Sequence, residues 1–158
     1  DPVLQLDVPL KTNSWSGIVI HHLGEPAGDP ESINQRHKSL GFDGLAYHFL
    51  IGNGNGLGDG VVHVGYRWVE QKPGLKLNAK GVSDSDHLIH ICLIGNGDRH
   101  EFTTRQVATL TNLVQRLQRS LHIPAGRVML MRDLSPNVTS PGRFFDEATL
   151  AAHLLANP

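Results

Sequence analysis

Two short stretches decide most of what this chain can become: Gly17-Ile-Val-Ile-His-His22 and His87-Leu-Ile-His-Ile-Cys-Leu-Ile94. Neither alternates apolar with polar residues over most of its length. A strand with one wet face alternates, because successive side chains point to opposite faces, whereas a continuous apolar run must be covered on both sides. Each run is also short for a helix, so both read as buried strands. A sheet holding such strands lies between layers, and the rest of the chain has to supply them.

The covering elements are legible from their ends. Asp29-Pro30-Glu31 predicts a helix start, with Asp29 as the cap, Pro30 in the first turn and Gly41 as the stop. Thr103-Thr-Arg-Gln106 has the form of a capping box, in which hydroxyl and amide satisfy end donors reciprocally. The helix it opens carries Val107, Leu110, Val114, Leu117 and Leu121 at three- and four-residue steps, an apolar stripe suited to docking on a sheet. A closing helix is expected over 146–157. Further strands are expected at Tyr47–Gly52, Val61–Val64 and Arg127–Met131, the first two joined by the glycine-rich 52–60 as a flexible hairpin turn. Residues 68–86 show no period and read as a long surface loop, a kind that often lines binding sites. Residues 1–14 read as an arm packing on the domain. With no repeat and no second core, the expectation is one α/β domain over 1–158, a central mixed β-sheet flanked by helices.

Composition narrows function by exclusion. Fourteen Lys and Arg against fifteen Asp and Glu give a formal net charge of −1, without the basic excess that nucleic acid or an anionic membrane surface attracts. Membrane insertion is not expected, since no apolar run approaches the roughly 18 residues that cross a bilayer. Cys92 is alone and cannot form an internal disulfide. Glycines at 52, 54, 56, 58 and 60 never satisfy the G-x-G-x-x-G spacing, and no helix start follows to hold a phosphate. Ten histidines make a metal or acid–base site worth seeking, yet no H-E-x-x-H occurs. His21 and His22 point to opposite faces of their strand, as do His87 and His90, while Cys92 shares a face with His90.

The order of the segments is more specific than any one of them. Ile18-Val-Ile-His-His22, Tyr47-His-Phe-Leu-Ile-Gly52, Val64-Gly-Tyr-Arg-Trp68, Ile91-Cys-Leu-Ile-Gly-Asn96, Arg132-Asp-Leu-Ser-Pro136 and Ser140-Pro-Gly-Arg-Phe-Phe145 follow one another along the chain. This succession resembles the type 2 N-acetylmuramoyl-L-alanine amidases and the peptidoglycan recognition proteins, over roughly residues 15 to 146. The resemblance implies a mixed sheet flanked by helices, with a groove for the glycan and stem peptide of peptidoglycan. It also implies a zinc ion held by two histidines and a cysteine or aspartate, whose bound hydroxide attacks the lactyl–alanine amide.

Carried onto this sequence, the resemblance makes His21 the first metal ligand and Tyr47 the tyrosine beside the metal. The second ligand position, before Arg132-Asp-Leu-Ser-Pro136, is Met131. The third, before Pro141-Gly142, is Ser140, or Thr139 in an alternative register. The oxyanion-stabilising Lys or Thr position falls on Val138, and a further histidine position corresponds to Lys76. A thioether and an un-ionised hydroxyl are poor zinc donors, so the expectation is a degenerate site with no cofactor, on a scaffold that still binds peptidoglycan or muropeptide fragments. Arg67, Trp68 and Lys76 are candidate groove residues for that ligand. The alternatives are an active zinc amidase whose site is rebuilt with His90, Cys92 or another histidine, and a structural or protein-interaction domain. The resemblance further implies a cell-envelope or secreted location.

Overall fold

The computed structural model describes residues 15–77 and 84–158, so the expected arm over 1–14 lies outside the described residues, as does part of the 68–86 loop. The two apolar runs take the central positions of a five-stranded sheet. β1 (Gly17–His22) pairs in parallel with β4 (Leu88–Leu93) on one side and β5 (Val128–Leu130) on the other. β2 (Phe49–Ile51) continues in parallel from β4, and β3 (Val62–Val64) closes the edge antiparallel to β2, for an order of β3-β2-β4-β1-β5. The sheet is therefore mixed, and every residue of β4 is buried.

Alternation divides the strands between two cores. Ile18, Ile20, Phe49, Ile51, Ile89, Ile91 and Leu93 face α3 (Thr104–Leu121), which returns Leu110, Leu113, Val114, Leu117 and Leu121. The opposite face carries Leu50, Cys92 and Ile94 under Ile33 of α1 (Pro30–Ser39), and a smaller cluster of Val19, Leu77 and Leu88. His21, His48 and His90 fall on this second, thinner-walled face by the same two-residue period.

The helix ends follow the expected chemistry. Asp29 accepts the Ser32 N–H at 2.9 Å, and Gly41 leaves the helix with φ of +98°. Thr103 and Gln106 form the reciprocal box at 3.0 and 3.1 Å. The Gln106 amide does more, donating to the carbonyls of Ile51 and Ile94 at 3.1 and 2.8 Å and so tying the start of α3 to two strand ends. A last helix, α5 (Glu147–His153), is shorter than expected and is capped by Asp146.

Several expectations need correction. Val107 is only partly buried and lines a surface groove between α3 and α5, while Leu113 takes a place in the core. The 68–86 stretch is not simply a surface loop, because Trp68 lies in the short helix α2 (Tyr66–Val69) and is fully buried, and Leu77 is buried as well. The 52–60 turn is anchored rather than free. Asn55 accepts the Gly28 N–H at 3.0 Å, Thr103 donates to Asp59 at 2.5 Å, and Thr109 donates to the Gly60 carbonyl at 2.8 Å. Gly56 is needed there, since a Cβ would overlap the backbone of Gly28.

Candidate functional site

An open groove of about 430 Å³ lies at the carboxyl ends of β1 and β5, lined by His21, His22, Leu23, Tyr47, Met131 and the 137–140 segment. Strand carboxyl ends are where open α/β sheets expose functional groups. Here β5 stops at Leu130 and the chain turns into α4 (Met131–Leu134), which puts Met131 beside the end of β1. His21, Tyr47, Met131 and Ser140, separated by up to 119 positions in sequence, thus share one wall.

The floor beneath this wall is a set of buried imidazoles. His21 Nε2 and His90 Nδ1 are 2.8 Å apart, and the His90 ring stacks on His48 at 5.9 Å with an interplanar angle of 11°. His48 has its tautomer fixed by backbone on both sides. Its Nδ1 accepts the His90 N–H at 3.0 Å, and its Nε2 therefore donates to the Lys72 carbonyl at 2.8 Å. Burial holds all three imidazoles neutral, lowering His21 to about 3 and His48 to about 4, with His90 well below its ordinary value. Tyr47 packs its ring on His21 at 5.1 Å, and burial beside the Cys92 thiol raises its phenol well above the usual range.

The far rim is built by loops that interlock. Ser140 accepts the His22 backbone N–H at 2.9 Å, and His22 Nδ1 accepts the Gly97 N–H at 3.0 Å. Asp98 accepts the Thr139 hydroxyl at 2.6 Å and the Arg143 N–H at 3.3 Å, and these bonds draw its carboxyl below the usual range. Gly97 and Gly142 are both required at the crossing, since a Cβ on either would overlap the other strand of the loop pair.

Other expected residues lie elsewhere. Arg67 donates to the carbonyls of Leu45 and Pro73 at 2.8 and 2.9 Å, so its guanidinium staples two loops. Trp68 packs against Trp15, His48 and Phe49 in the core, fully buried and outside the groove lining. Lys76 is exposed and does not line the groove. The Cys92 thiol is fully buried beside Tyr47, and burial pushes it up, away from thiolate chemistry. His48, Asp98 and Gly97 carry the site's framework although their motifs do not announce them. Face parity was the available signal for His48, since positions 48 and 50 alternate in step with 90 and 92.

Residues 11–143 match the family model described as N-acetylmuramoyl-L-alanine amidase, most of the chain's length. The chain belongs to this amidase family. Its fold is similar to that of the endolysin amidase LysCS from Clostridium intestinale URNW, at 26% identity and a TM-score of 0.75, with 94% of this chain and 89% of that one covered. It is also similar to peptidoglycan recognition protein LE, solved in complex with tracheal cytotoxin, a monomeric diaminopimelic acid-type peptidoglycan, at 21% identity, a TM-score of 0.68 and coverage of 89% and 80%. A selenomethionine derivative of AmpD matches at 20% identity and a TM-score of 0.68, over 94% and 89%. No curated protein sequence matches the chain. The family comprises zinc amidases typically, and among the described residues no three His, Cys, Asp or Glu side chains converge on one point. No helix among the described residues is long and apolar enough to cross a membrane.

Proposed function

We propose that this member of the amidase family is a muropeptide-binding module that does not hydrolyse its ligand. The observation carrying the reading is the pair Met131 and Ser140 in the groove wall beside His21. Zinc catalysis needs three strong protein donors and an open fourth position. This wall offers the His21 imidazole, a second imidazole in His22 that points to the other face of β1 and whose Nδ1 already accepts the Gly97 N–H, a neutral thioether, and a hydroxyl already accepting the His22 N–H. That set does not fit a catalytic zinc. The rebuilt alternative gains nothing from His90 and Cys92, since His90 is in hydrogen-bond contact with His21 and the Cys92 thiol is buried and un-ionised.

Binding does not need the metal. The groove keeps its width through the Ser140–His22 and Asp98–Thr139 bonds, and Tyr47, the His21 edge and the Asn137 amide stand ready for a peptide and sugar. The complex of a similarly folded recognition protein with a monomeric peptidoglycan supports this ligand class. We propose a location at the cell envelope or outside the cell, where polymeric peptidoglycan is found.

Calorimetric titration with muramyl dipeptide, followed by chromatography for released L-alanyl peptide with and without added zinc, tests both halves. Saturable binding without release is expected. Absence of binding into the millimolar range overturns the ligand, and zinc-stimulated release overturns the non-catalytic assignment.

A further inference from the structure

A second cavity, of about 310 Å³, opens at the head of α3 beside the groove, walled by Asn53, Asn55, Asn96, His100, Phe102 and Gln106. Two of its amides are spent on backbone and fix its shape. Gln106 ties the Ile51 and Ile94 carbonyls, while Asn53 donates to the Pro26 carbonyl at 2.9 Å and accepts the Asn55 N–H at 3.0 Å. Other polar atoms of the wall are left over. Asn96 Oδ1 accepts the Asp98 N–H at 3.0 Å, which orients the amide and leaves its Nδ2 without a partner among the described residues. Asn55 Nδ2 reaches the Pro26 carbonyl only at 3.4 Å, its Oδ1 is unpaired, and the exposed His100 ring makes no hydrogen bond among the described residues. None of these atoms is sealed from water. Half-buried Phe102 supplies an apolar wall. No Lys or Arg lines the cavity and Glu101 does, which disfavours an anion. Uncharged donors and acceptors beside one aromatic ring, with room for a single pyranose, suit a sugar.

We propose that this cavity is a saccharide subsite, which takes the N-acetylated hexosamine adjoining the muramic acid of a bound muropeptide. The partition between cavity and groove carries the connection. Asn96 lines the cavity, the next residue, Gly97, gives its N–H to His22 Nδ1 at 3.0 Å, and His22 lines the groove. The two hollows therefore flank one loop at the strand carboxyl ends, as adjoining rings of one glycan require. In the cavity Asn96 Nδ2 donates to the sugar, Asn55 Oδ1 accepts from it, and a C–H face of the ring lies on Phe102, with His100 as a further polar partner. The identity of the sugar rests on the proposed muropeptide reading; the unpaired polar set around the cavity does not.

Calorimetric titration with two ligands that differ by one sugar tests the subsite. N-acetylglucosaminyl-muramyl dipeptide is expected to bind about tenfold tighter than muramyl dipeptide, the worth of one or two hydrogen bonds to the added ring. Asn55→Ala combined with His100→Ala removes two side chains that have no close hydrogen bond of their own. This variant is expected to lose most of the gain and to keep its affinity for muramyl dipeptide. Asn96→Ser, whose hydroxyl can still accept the Asp98 N–H, is expected to do the same. Equal affinities for the two ligands in the wild-type protein overturn the subsite, and so does a gain that survives in both variants. Should muramyl dipeptide not bind at all, the muropeptide reading falls, and N,N′-diacetylchitobiose then probes the cavity alone. Shifts of the Asn55 and Asn96 side-chain amide signals and of the His100 ring in its NMR titration uphold a saccharide site, and their absence overturns it.

Discussion

Ser140 accepts the His22 backbone N–H at 2.9 Å, and a thiolate at the same position could accept it too. Met131 sits one residue past the end of β5, where the backbone is held by the Ile20–Leu130 pairing whatever the side chain. The two positions on which the non-catalytic proposal rests are therefore separable from the framework that shapes the groove. Met131→His with Ser140→Cys is expected to raise zinc content from a small fraction to about one ion per chain, measured by elemental analysis after dialysis against zinc. A double variant that folds and still holds no zinc would mean that His21 is not aimed at the other two. Ser140→Ala asks a different question. It leaves the His22 N–H without its acceptor in a half-buried place, and a loss of about 1 kcal/mol in a denaturant titration is expected. An unchanged midpoint would show that water replaces the hydroxyl at no cost.

α3 shows how far periodicity reads and where it stops. The capping box at Thr103 and Gln106 could be located from four residues, because the hydroxyl and amide have few other uses next to an apolar repeat. The stripe itself was legible at Leu110, Val114, Leu117 and Leu121, all buried. It failed at Val107, because the helix enters over the strand ends, where Gln106 and not its neighbour turns inward to the Ile51 and Ile94 carbonyls. No apolar pattern could signal a buried glutamine. Trp68 was misplaced for a similar reason: a single helical turn is too short to show a period, so a core anchor read as loop. The two stripe residues can be told apart by stability. Leu117→Ala is expected to cost about 2–5 kcal/mol, with Val107→Ala below about 1 kcal/mol, both from urea midpoints. Equal losses would return Val107 to the core. Thr103→Ala removes both the cap and the bond to Asp59, and is expected to cost about 1–2 kcal/mol.

At the scale of the whole molecule, the sheet has one thick wall and one thin one. The thick side is apolar apart from glutamines of α3 bonded to backbone carbonyls, whereas the thin side buries three neutral imidazoles between the groove and the 72–77 segment. The segment order foretold the fold and the groove wall, but it could not show that His48 and His90 would be fully buried behind His21, since the contacts among the three rings come from separate strands and a backbone carbonyl at Lys72. Neutral burial has a consequence for acid stability, and His48 isolates it. Its surroundings among the described residues are the rings of Trp15, Trp68 and His90, the Lys72 carbonyl and, further off, the Arg67 charge, with no carboxylate among them to welcome a proton. Its folded value of about 4 lies below the ordinary 6.5, so the unfolded chain takes up the proton first. The stabilisation is fully present above about pH 6.5 and is lost as pH falls toward 4, by about 3 kcal/mol for this residue. His48→Gln retains a side-chain donor and acceptor but cannot titrate. Wild type is expected to lose its lead over this variant between about pH 7.5 and about pH 4.5 in parallel urea titrations, the gap closing by 2–3 kcal/mol, roughly the linkage of one such group. A gap that stays constant across that range would mean that the His48 ring charges without opening the thin wall.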